Sequence, residues 1–110
     1  MLLNDFHISD GKILKIESNV LDLKLTFKDW KGKKWLIIFN EVLSIQAMSI
    51  EDEDLSHVQI FESDVFKKPT MEYFPDERED RFQSYNFYGA WSENALLKIV
   101  ATNEYAIIEL

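Results

Sequence analysis

The chain has no cysteine, which removes disulfides, thiolate metal sites and cysteine nucleophiles together. Glycine and proline are scarce, with 3 and 2 residues in 110. None of Gly11, Gly32 and Gly89 stands in a phosphate-cradling or dinucleotide-binding arrangement, so nucleotide chemistry of those kinds is not expected. Long apolar runs are missing too. The longest, Trp35 to Phe39, falls far short of the roughly 18 residues that suggest a membrane span. The start, Met1-Leu2-Leu3-Asn4-Asp5, has neither the basic residues nor the apolar stretch of a secretory signal. Positive charge is the last shortage, with 12 Lys and Arg against 20 Asp and Glu and a net charge of −8. Nucleic acid and anionic membrane are poor partners for such a chain. A soluble, cytoplasmic protein is expected.

What is present points to a folded domain. Hydrophobic residues make up 46% and aromatics 14%, too many for an acidic disordered chain. A chain of this length buries roughly 65% of its unfolded surface around one core, so residues 1–110 are read as a single domain. The charge is uneven. Residues 51–80 carry eleven acids against Lys67, Lys68 and Arg78, a net of −8, while residues 1–50 sum to +1 and residues 81–110 to −1. Residues 51–81 also hold both prolines and the least periodic hydrophobicity, so an acidic, irregular middle segment is expected there.

Leu21, Leu23, Leu25 and Phe27 alternate with Asp22, Lys24, Thr26 and Lys28, the period of a strand with one dry face. A strand over 12–17 precedes it, across a two-residue turn at Ser18-Asn19. Asp29 to Lys33 has turn chemistry, and Trp35 to Phe39 reads as a strand covered on both faces. These three form an antiparallel meander. Further strands are expected over 42–50, where a helical phase is also arguable, and over 57–62, 82–91, 96–101 and 105–110. Residues 63–81 read as loop or helix, and 76–82, after Pro75, is the stretch where a short helix could form. The fold class is mainly β, or α+β with that one helix, built as an antiparallel sandwich or partly open barrel.

Catalytic constellations are weak. Ser56 and His57 with any Asp make a nucleophilic trio on paper, but no nucleophile-elbow glycines accompany them. Glu51 to Asp54 with His57 is a loose set of metal donors that reads more simply as a solvated turn. No enzyme activity, cofactor or metal is expected. The pairs Asp76/Glu77 and Glu79/Asp80 read as charged surface, and Phe82 and Phe87 as core. Tyr85, Tyr88 and Trp91 fit exposed interface anchors. The four acids and these three aromatics together are the candidate partner-binding residues.

Three stretches also carry a resemblance. Asp5-Phe6-His7 with Asp10-Gly11-Lys12-Ile13-Leu14-Lys15-Ile16 opens the chain, and Trp35-Leu36-Ile37-Ile38-Phe39-Asn40-Glu41-Val42-Leu43-Ser44-Ile45 stands near the middle. Phe87-Tyr88-Gly89 and Leu97-Lys98-Ile99-Val100-Ala101 lie toward the end. Together they resemble small acidic bacterial proteins of the immunity type, encoded beside secreted or contact-delivered toxins. The resemblance implies no chemistry of its own. It implies a protein that binds a toxin domain, a basic one in particular, and occludes its active site or a needed surface. Two other readings stand beside it: a β-barrel or sandwich that carries a small apolar ligand, and a homo-oligomeric structural module paired through an edge strand.

Overall fold

The computed structural model describes all 110 residues. Eight strands are formed: β1 (Lys12–Ser18), β2 (Leu23–Lys28), β3 (Lys34–Phe39), β4 (Ser44–Ala47), β5 (Leu55–Phe61), β6 (Phe82–Gly89), β7 (Ala95–Thr102) and β8 (Tyr105–Glu109). One helix, α1 (Lys67–Tyr73), and two 3-10 turns, Leu3–Asp5 and Glu79–Arg81, complete the structure. The strands make two antiparallel four-stranded sheets, ordered β1-β2-β3-β8 and β4-β7-β6-β5, and neither closes into a barrel. The architecture is mainly β and antiparallel, as the alternation implies.

Each sheet is a three-strand meander plus one strand from the other half of the chain. β4 leaves the first meander to pair with β7, and β8 leaves the second to pair with β3. Folding either sheet therefore requires both halves.

The first meander follows its hydrophobic period. Leu23, Leu25 and Phe27 are fully buried, while Lys24, Thr26 and Lys28 on the other face are half-exposed. Two expectations shift. Leu21 is 59% exposed and lies outside β2, because the turn takes residues 19–22, with the Asn19 amide donating to the Asp22 carbonyl at 2.8 Å. β3 is covered on one face only, with Ile37 and Phe39 buried and Leu36 and Ile38 half-exposed. The β2–β3 turn is organised by Asp29, whose Oδ1 accepts from the Lys31 and Lys33 amides at 3.0 and 2.8 Å. Its Oδ2 accepts from Trp35 Nε1 at 3.0 Å. Gly32 takes φ 87° in that turn, a conformation glycine adopts without strain. Gly11 answers a different need, since a Cβ there would run into the Phe27 ring and the Lys28 carbonyl.

The core joins both sheets. Phe39 lies 4.8 Å from Tyr85, 6.4 Å from Phe87 and 6.1 Å from Tyr105, ring centre to ring centre. Phe82 and Phe87 are buried as expected, and so is Tyr85, at 0% exposure.

The acidic segment is divided by β5, which forms at Leu55–Phe61 where a strand over 57–62 was expected. Glu51 to Asp54 lie before β5, and residues 62–81 lie after it. The seven residues of β5 separate these groups by about 20 Å at the rise of an extended strand. The helix forms over Lys67–Tyr73, earlier than 76–82, whose only helical turn is the 3-10 turn Glu79–Arg81. Pro69 is tolerated because the first-turn amides of a helix have no intrahelical acceptor, and Pro75 stands just past the helix end, where it stops propagation.

Candidate interaction surface

The segment between β5 and β6 begins at Asp64. Its Oδ1 accepts from the Lys67 amide at 2.8 Å, satisfying a free donor at the helix start. Its Oδ2 accepts from Ser84 Oγ at 2.8 Å and Asn86 Nδ2 at 3.3 Å. Ser84 and Asn86 stand on the outer face of the second sheet, 0% and 3% exposed. One carboxylate thus caps the helix and fastens it to β6.

Lys67, Thr70 and Met71 turn toward the sheet and are buried. Met71 packs with Phe82 and Val100, beside Leu43 and Phe66. Thr70 donates to the Phe66 carbonyl at 3.2 Å and accepts from Ser44 Oγ at 2.8 Å, tying α1 to β4. Lys67 is 3% exposed and has no carboxylate partner; its ammonium donates to the carbonyls of Glu62 and Glu79 at 2.5 and 2.9 Å. A buried ammonium without such acceptors is strongly unfavourable, so Lys67 holds the two ends of the segment together.

This packing leaves an apolar groove of about 280 Å³ between α1 and β4, lined by Leu43, Ser44, Phe66, Pro69, Thr70, Tyr73 and Phe74. Tyr73 is 87% exposed at its lip and Phe74 39%. No acid lines the groove, but several lie near its lining residues in sequence. Glu72 is exposed on α1, and Asp76 and Glu77 follow Phe74 after Pro75. Arg81 holds Glu77 at 3.5 Å and Glu41 at 2.5 Å. Glu79 and Asp80 belong to a different concavity of about 510 Å³, shared with Glu62, Lys67, Gln83 and Asn103. Asp80 is paired to Arg78 at 2.8 Å.

The candidate residues therefore do not form one patch. Asp76 and Glu77 lie close to Phe74 in sequence without lining the groove, while Glu79 and Asp80 line the neighbouring cavity. Tyr85 is corrected outright: it is a core residue whose hydroxyl donates to the Thr102 carbonyl at 2.8 Å, and it has no surface to offer. Burial, with the nearby Tyr105, drives its hydroxyl pKa well above the usual tyrosine range. Tyr88 is half-buried and stacks on His57 at 4.5 Å with an interplanar angle of 6°. Trp91 is 91% exposed, but it lies past the far end of β6 with Met48 and Glu53. The sequence reading missed Tyr73 and Phe74. The available signal was Phe66, Thr70 and Tyr73 at helical spacing behind a capping Asp64.

Ser56 Oγ and His57 Nδ1 are 2.9 Å apart, but no carboxylate bonds the imidazole. No three His, Asp or Glu side chains gather in a metal-binding group. No helix is long and apolar enough to cross a membrane. Comparison with known proteins adds no relative. No family model, curated protein or solved structure matches the chain.

Proposed function

We propose that this protein is a non-catalytic protein-binding module that takes a basic partner into the groove between α1 and β4. The observation that carries the reading is Tyr73, an aromatic ring 87% exposed at the lip of an apolar groove. Tyrosine is among the residues that most often anchor interfaces, because it buries a large surface for little lost rotamer freedom. Glu41 and Glu77 share Arg81, but Glu72 and Asp76 make no ion pair and favour a basic partner, since acids near an interface accelerate encounter with a basic surface. The resemblance to immunity proteins supplies the class of partner: a toxin domain with a cationic cleft, encoded by the adjacent gene and neutralised by occlusion.

A carrier of small apolar ligands would need an enclosed space between the sheets. That space is filled by Phe39, Tyr85, Phe87 and Tyr105, so the groove reading is preferred.

The experiment is a kinetic binding measurement against the purified product of the adjacent gene. Tyr73→Ala should speed dissociation and weaken binding by about 2 kcal/mol or more. Neutralising Glu72, Asp76 and Glu77 together should slow association and reduce its salt dependence. The pair Glu79→Gln and Asp80→Asn should do so less. Absence of binding, or binding indifferent to Tyr73 and to the three acids, overturns the reading.

A further inference from the structure

The four edge strands differ in how they are protected. β1 carries Lys12, Lys15 and Glu17 and is kinked by a bulge between Ile13 and Lys15. β5 has a bulge between Leu55 and His57, and its first residue is already occupied. The Leu55 amide donates to the Gly11 carbonyl, and the Asp10 amide donates to the Leu55 carbonyl, both at 2.9 Å. β4 is only four residues long and sits beside α1. Bulges, charges and short length are the usual defences of a sheet edge against pairing with another chain.

β8 is one residue longer than β4 and has no bulge. Its register with β3 runs unbroken from Tyr105 to Glu109, with no lysine, proline or bulge. Its single charge, Glu109, is engaged by Lys33. The Leu110 amide donates to the Lys34 carbonyl, which fixes the phase of the ladder. The backbone groups of Ala106 and Ile108 point to β3, and those of Tyr105, Ile107 and Glu109 point away from the sheet.

We infer that β8 is a homodimerisation edge, pairing antiparallel with β8 of a second copy about a two-fold axis at Ile107. That register satisfies every outward backbone group of the strand. Ile107 bonds its own counterpart, and Tyr105 stands opposite Glu109 in both directions, so no like charges meet. On the outer face Ala106 falls opposite Ile108 of the partner subunit, at 46% exposure an apolar side chain otherwise facing water. Leu36 and Ile38 flank them on β3 and extend the apolar strip across the junction. Self-pairing is favoured over a foreign strand because this sequence is complementary to itself in one register. The inference stands apart from the proposed function, since α1 and its groove lie on the other sheet.

The test is sedimentation velocity of the full chain from micromolar to high micromolar concentration. Wild type should approach twice the 13.0 kDa protomer mass as concentration rises. Ile108→Lys should remain at the protomer mass, whereas Gln46→Lys on the β4 edge should dimerise like wild type. Because the chain lacks cysteine, the double variant Ala106→Cys with Ile108→Cys gives a second reading that needs no charge in the strand. Mild oxidation should convert it to a covalent dimer, because the two positions face one another only between copies. A protomer at all concentrations, a dimer indifferent to Ile108→Lys, or a cysteine variant that fails to cross-link under dimerising conditions would overturn the inference.

Discussion

Each sheet is a three-strand meander completed by the other half's last strand, yet the two meanders differ at one connection. β1 passes to β2 through four residues, 19–22, and β5 passes to β6 through twenty, 62–81. The other paired connections are alike: β2–β3 and β6–β7 each take five residues. The difference separates two roles. The short turn only reverses the chain. The long one carries the helix, a buried lysine, seven acids and the exposed Tyr73, on a sheet that is complete without it. Ordered surface that the core does not require is where a binding role is most easily placed.

That contrast yields a graded set of outcomes. The largest effect belongs to the shared core. Phe39→Ala should cost about 3–5 kcal/mol in urea denaturation, with strands of both sheets losing hydrogen-exchange protection together. If one sheet melts alone, the exchange of β4 and β8 does not couple them.

Next is the attachment of the long connection. Asp64→Ala removes the helix cap and leaves buried Ser84 and Asn86 without their carboxylate acceptor. A loss of about 2–3 kcal/mol is expected, with amide exchange rising first over 67–73. Uniform acceleration across β6 and β7 would mean that the helix and the sheet are one cooperative unit.

The short connections should respond to acid. Burial raises the Asp29 pKa, but the bonds from Trp35 and from the Lys33 and Lys31 amides, with the Lys33 charge, outweigh it and hold the pKa below the usual carboxylate value. A depressed acid stabilises the fold above its unfolded pKa of about 3.9, and that contribution is lost as pH falls through the lower folded value. Asp29→Ala should therefore flatten the acid limb of the stability profile while leaving the shape of the alkaline limb unchanged.

The smallest effect is expected at the end away from the groove. Trp91→Ala should change stability by no more than about 0.5 kcal/mol and leave partner binding unaltered. A large loss of binding there would move the interface to the Met48–Trp91 end.

The sheets were legible because period-2 burial is written directly into the chain, as in Leu23, Leu25 and Phe27. Errors came where local pattern yields to tertiary placement. Leu21 continues the alternation but falls in a turn that needs four residues. Tyr85 and Tyr88 look equally amphipathic, and only the register of β6 puts the first in the core and the second beside His57. Net charge misled for a similar reason, since a strand through the acidic segment carries its two halves to opposite ends. Pro69 hid the helix, although a proline in the first turn is compatible with one.

The most direct test of the assignment of binding to the long connection is an amide-exchange footprint of this protein with and without the adjacent gene's product. Protection should appear over residues 66–77 and around 41–44, with little change over 48–53 and 88–92. Protection confined to the Trp91 end, or none at all in a complex shown to form, would contradict the account.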